Sequence, residues 1–237
     1  YKRQGKTVLY EMLEDLKLTD EYHSIKLFNY KSENILENLL KRSPNQYSKF
    51  ETTVRDILDK VKAEGDQALF AYTEQFDGVK ITEETFRVTE EEIAEAYEKV
   101  DSHLIEIIRK ALVNIRDYHQ KQVRYSWFDS KPDGTLLGQK VTALERVGVY
   151  VPGGKAVYPS SVLMNIVPAK VAGVEHIVMT TPPGKDGKVY PITLVAAKEA
   201  GVDEIYKVGG AQAIGALAYG TESIKKVDKL SLIHISE

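Results

Sequence analysis

The chain has 237 residues, of which 43% are hydrophobic and 28% charged, with a net charge of −3 and an isoelectric point near 6.0. Such a balance supports a buried core of ordinary size and gives no bulk electrostatic case for nucleic acid or a membrane surface. The absence of cysteine excludes a disulfide scaffold and thiolate chemistry and fits a reducing cytoplasm, and no apolar run reaches the roughly 18 residues of a membrane span.

Residues 1–23 hold one amphipathic stretch, Val8, Leu9, Met12, Leu13 and Leu16, and form an unassigned extension. Residues 24–44 read as an arm: a short strand at Ile25–Phe28, then a helix capped by Ser32, carrying Ile35, Leu36, Leu39 and Leu40 on one face and ended by Pro44. Residues 45–149 open with two helices. Val54, Ile57, Leu58 and Val61 form the apolar stripe of the first, which Gly65 ends, and Asp66 is expected to cap the second, which runs to Gly78. Thr89-Glu90-Glu91-Glu92 is a capping box, so its acidic cluster faces a helix N-terminus and needs no metal. The apolar stripe beyond it pauses at Asp101-Ser102 and resumes from Leu104 to Ile115. His103 and His119 lie on this helical region without the i, i+4 pairing that zinc would use.

From Pro132 the pattern changes. Asp133-Gly134 marks a turn, followed by a strand at Leu136–Val141 and another at Arg146–Val151. Helices near Ser161–Ala172 and Pro191–Ala200 then alternate with strands near His176–Thr181 and Glu204–Val208, and a last helix opens at Ala211. A pair of serines, Ser160 and Ser161, opens the first of these helices. Strands separated by helices at this length imply right-handed βαβ units in a parallel sheet. The fold class is therefore α/β: a helical N-terminal region followed by a Rossmann-like parallel βαβ sheet, incomplete at the C-terminus.

Two glycine pairs follow predicted strands, Gly153-Gly154 and Gly209-Gly210. Strand ends of this kind are where open α/β sheets bind ligands, and glycine lets backbone approach a phosphate. Neither pair makes a full G-x-G-x-x-G, so structural glycines in tight turns explain the spacing equally well. Tyr150, at the end of an apolar strand, offers a ring and a hydroxyl to a flat ligand. Gln212, in the first turn of an apolar helix, offers an amide to a nicotinamide or adenine edge. Lys155 can approach a phosphate, and His176 reads as an interior or edge histidine.

The strings Val147-Gly148-Val149-Tyr150-Val151-Pro152-Gly153-Gly154, Tyr158-Pro159-Ser160-Ser161-Val162-Leu163-Met164-Asn165 and Val208-Gly209-Gly210-Ala211-Gln212-Ala213-Ile214, with Val227-Asp228-Lys229, resemble histidinol dehydrogenase. The likeness covers about residues 24–229. It implies a cytoplasmic, homodimeric, zinc-dependent enzyme that oxidises L-histidinol to L-histidine through an aldehyde in two NAD-dependent hydride transfers. By motif, Tyr150 and Gln212 match two NAD contacts, and residues 150–229 match the NAD-side domain. The family's third NAD contact, an Asn, its Glu-His catalytic pair and its zinc ligands would follow Lys229, so no catalytic or metal-binding residue is assigned here. The last eight residues, Leu230–Glu237, match the translation of a transposon-end adaptor and are set apart from the fold; a genuine apolar strand is the other reading. On this view the chain is an N-terminal fragment, inactive alone. The alternative is a non-catalytic nucleotide-binding or interaction module.

Overall fold

The computed structural model describes residues 48–153 and 157–232. The expectations for residues 1–23 and 24–44 and for Lys155 fall outside that range, as do Gly154 and residues 233–237.

Two helices, α1 (Ser48–Glu64) and α2 (Asp66–Asp77), follow the apolar stripes of the sequence. Gly65 joins them with φ +56°, and a side chain there would run into the carboxylate of Glu222. Asp66 does not cap α2. It is the first helical residue, and its carboxylate instead accepts from the Ser223 backbone N–H at 3.1 Å and hydroxyl at 2.5 Å. In return Glu222 accepts from the Asp66 N–H at 2.8 Å, so the pair ties α2 to a distant loop. A single turn, α3 (Glu83–Phe86), follows, with Phe86 packed edge-on against Phe70 and tilted against Tyr206.

The capping box at the start of α4 (Glu90–Lys99) forms as expected. Thr89 Oγ1 accepts from the Glu92 N–H at 3.3 Å, and Glu92 accepts from the Thr89 N–H at 3.1 Å. The pause at Asp101 is a true helix boundary: its carboxylate accepts from the His103 and Leu104 N–H groups and so caps α5 (Ser102–Gln120). His103 is exposed, and His119 bonds to Gln122 at 2.7 Å. An antiparallel hairpin, β1 (Trp127–Ser130) and β2 (Leu136–Gln139), closes around the Asp133-Gly134 turn, with every residue of both strands exposed.

The main sheet consists of β3 (Arg146–Tyr150), β4 (His176–Thr181), β5 (Glu204–Lys207) and β6 (Lys229–Leu232), all parallel, in the order β5-β4-β3-β6. Helices α6 (Pro159–Val171), α7 (Pro191–Ala200) and α8 (Gly210–Tyr219) connect them. The strands pair outward from β3 through β4 to β5; the chain then returns to place β6 on the other side of β3. With that reversal the cover changes face. Helices α4, α5, α6 and α7 share a core with Val149, Ile177 and Met179, whereas α1, α2 and α8 pack on Val178 and Tyr206. Gly148 lets α8 come close, since a Cβ there would lie 3.0 Å from Leu217.

The helix expected to open behind the serine pair starts earlier: Pro159, which loses no useful N–H at a helix start, is the first residue of α6, Ser160 and Ser161 lie in its first turn, and Tyr158 stands at the cap with no side-chain bond. The boundary between residues 149 and 150 passes through β3. Leu230, Ser231 and Leu232, set apart in the sequence reading, continue β6 beside Gly148, Val149 and Tyr150.

Candidate functional site

The carboxyl ends of β3 and β6 bracket the point where the strand order reverses. A crevice of this kind is where open α/β sheets hold ligands, because flanking loops diverge to opposite faces there. Tyr150 is the last residue of β3 and stands half-buried beside it. Its hydroxyl accepts a hydrogen bond from the Gly210 N–H at 3.2 Å, which fastens the strand end to the first turn of α8. Gln212 follows in that same turn, 1% exposed. The fold thus brings together the two residues that sequence singled out.

Gly210 has φ +65°, and a Cβ on it would lie 2.6 Å from Gln212 Oε1. The left-handed backbone favours glycine here, and a side chain would also push the Gln212 amide from its place. Gln212 Oε1 itself is buried with no hydrogen-bond partner. A buried amide oxygen left unpaired costs about 1–3 kcal/mol, so it stands ready for an incoming N–H donor.

The other glycines do a different job. A Cβ on Gly153 would sit 2.9 Å from Pro182 Cγ, and one on Gly209 would sit 2.7 Å from Pro182 Cβ. Pro182, just past β4, is therefore wedged between the turns that end β3 and β5. Space at Gly153 and Gly209 is filled by this proline rather than left open for a phosphate, and the Gly210 N–H is already engaged by Tyr150.

Two further polar residues went unremarked in the sequence. Thr180, register partner of Tyr150, is fully buried and its hydroxyl has no partner. A threonine in an apolar run was its only signal. Asn165, 3% exposed on α6, donates to the Ser161 carbonyl at 2.8 Å and accepts from the Ser231 hydroxyl at 2.6 Å, linking α6 to β6. His176, at the start of β4, is exposed at the opposite end of the sheet from Tyr150. Among the described residues no group of three or more His, Cys, Asp or Glu side chains is arranged to hold a metal ion, and no helix is long and apolar enough to cross a membrane.

A parallel α/β sheet with helices on both faces and a reversal of strand order beside β3 defines the doubly wound class of fold. Comparison with known proteins narrows this. The histidinol dehydrogenase family model matches residues 40–231, and the chain belongs to that family. It is 60% identical over 179 residues to the histidinol dehydrogenase of Bacillus subtilis (strain 168), covering 76% of this chain and 42% of the relative. To that of Heliobacterium mobile it is 54% identical over 195 residues, covering 82% and 46%. The crystal structure of histidinol dehydrogenase from Elizabethkingia anophelis superposes with a TM-score of 0.72 at 37% identity, over 76% of this chain and 41% of that one. The chain spans less than half the length of these relatives.

Proposed function

We propose that this chain carries the cofactor-side wall for NAD-dependent oxidation of L-histidinol to L-histidine through the aldehyde, and that alone it turns over no substrate. One observation carries the reading: Tyr150 and Gln212 converge at the switch point, joined through Gly210. The unpaired Gln212 Oε1 suits a carboxamide or amino edge, groups that a nicotinamide dinucleotide presents. When bound, NAD would supply the hydride acceptor. Tyr150 keeps the first turn of α8 against β3, and Gln212 orients the cofactor by accepting one N–H. Pro182 packs against the neighbouring turns at Gly153 and Gly209.

Zinc does not fit the described residues, and no step is routed through it. The zinc ligands and the acid–base pair are proposed to belong to the part of the family's subunit beyond the matched segment, as is the completion of a homodimer in the cytoplasm. The second reading is a non-catalytic nucleotide-binding module, which the convergence of Tyr150 and Gln212 supports equally.

Calorimetric titration with NAD tests the site. Binding is expected, and Gln212→Ala should weaken it by about tenfold, the loss of roughly one good hydrogen bond. Tyr150→Phe, which removes the acceptor for Gly210 while keeping the ring, should weaken it less. Equal affinity in wild type and both variants would sink the assignment. NADH formation from histidinol in proportion to added protein would sink the claim that the chain is inactive alone.

A further inference from the structure

Thr180 Oγ1 and Gln212 Oε1 are both buried, and neither makes a hydrogen bond within the protein. Their needs are complementary: a hydroxyl has a proton to give, and an amide oxygen only accepts.

The fold brings the two to one place. Side chains alternate across a strand, so Thr180 shares with Val178 the face on which α8 packs. The first turn of α8 is fixed over that face at two points. The Gly210 N–H donates to the Tyr150 hydroxyl at the end of β3, and Gly209 lies so close to Pro182, two residues past Thr180, that a Cβ would meet the ring at 2.7 Å. Tyr150 and Thr180 are register partners, so the turn crosses the strand ends with Thr180 beneath it. Among Gly210, Ala211, Gln212 and Ala213, the residues of that turn, only Gln212 has a polar side chain.

The two groups make no direct bond, and one internal water is enough to join a buried donor to a buried acceptor. We propose that Thr180 is a positioning residue of the cofactor wall: its hydroxyl donates to an internal water, which donates in turn to Gln212 Oε1. The water fixes the amide with its oxygen toward the strand ends. An amide oxygen accepts two hydrogen bonds, so one lone pair stays available to a ligand N–H. The water link is a property of the fold; its effect on cofactor affinity rests on the reading of Tyr150 and Gln212 as an NAD site.

Two measurements on the 237-residue chain test these parts separately. In denaturant unfolding, replacing a hydroxyl that is buried without any partner by a methyl should leave the midpoint unchanged or raise it. A bridged hydroxyl gives the opposite sign, so Thr180→Val should lower the midpoint. Gln212→Met should lower it too, and the double variant no further than the larger single change, because both remove one link. A Thr180→Val midpoint at or above wild type, or additive losses, would overturn the link; the sign for Thr180→Val decides if Gln212→Met fails to give a native circular-dichroism spectrum. In calorimetric titration with NAD, Thr180→Val should weaken binding by about threefold to tenfold, and Thr180→Ser, which keeps the hydroxyl, should bind within about twofold of wild type. Val binding as tightly as wild type, or Ser as weakly as Val, would overturn the positioning role. Wild type failing to bind NAD would overturn the cofactor reading and the positioning role with it, while the unfolding result still decides the water link.

Discussion

The four-stranded sheet and the β1–β2 hairpin use the same backbone pairing and live in opposite surroundings. Helices cover both faces of the sheet, and Val149, Ile177, Val178 and Met179 are fully buried. In the hairpin Trp127 is 55% exposed, Phe128 61% and Leu136 65%. An isolated two-stranded ribbon is marginal in water. The hairpin's ladder is thus held in register chiefly by its turn, where Lys131 and Thr135 bond at 2.8 Å and Gly134 adopts φ +85°. In the sheet, burial and side-chain ties fix register; in the hairpin, turn chemistry does.

The contrast can be broken most severely at Lys207. This residue of β5 is 4% exposed, and its ammonium meets Glu92 of α4 at 2.6 Å. Lys207→Ala leaves a largely buried carboxylate uncompensated and should lower stability by about 3 kcal/mol in denaturant unfolding. The double variant Lys207→Met with Glu92→Gln removes both charges while keeping a capping side chain, and should recover most of that loss. A double variant no better than the single one would show that packing, not charge, sets the cost.

A smaller effect is expected at Gly209. Gly209→Ala pushes a methyl against Pro182, and overpacking of this kind costs about 1–3 kcal/mol. The same measurement on Gly209→Ala with Pro182→Ala should show the penalty shrink, since the colliding ring atoms have gone. Additive losses would place the strain elsewhere. The smallest change belongs to the hairpin: Trp127→Ser should move stability by no more than about 0.5 kcal/mol, because little burial is lost. A loss of 2 kcal/mol or more, roughly the value of a buried large side chain, would mean that the hairpin is covered in solution.

Much of this was legible in sequence because the signals were local. Helix stripes, the Thr89 capping box, the Asp101 break and the Gly65 helix end each involve residues within a few positions of one another. The strand–helix alternation likewise gave a parallel sheet. It could not tell on which side of β3 the strand β6 would lie, because that depends on which face α8 covers. Local propensity also misled at Asp66: a good capping residue was drawn into bonds with Ser223, far along the chain. Pro159, already shaped for a helix start, opens α6 ahead of the serines and takes them into its first turn. At the site, Tyr150 and Gln212 stood out as polar residues in apolar elements, but Thr180 and Asn165 acquire meaning only through their neighbours. The first strand of the hairpin escaped notice since nothing in it alternates and nothing in it is buried.

Pro182 sits between two glycines that belong to different strand ends, and this constrains how the sequence can drift. An alanine at either glycine is opposed by the proline ring, whatever the merits of alanine in its own turn. A smaller residue in place of the proline would remove that opposition from both sides at once. The favoured order of change over evolutionary time is therefore for Pro182 to yield before Gly153 or Gly209 acquires a side chain. Once either has done so, reversion to proline becomes the unfavourable step, a ratchet made of three small residues.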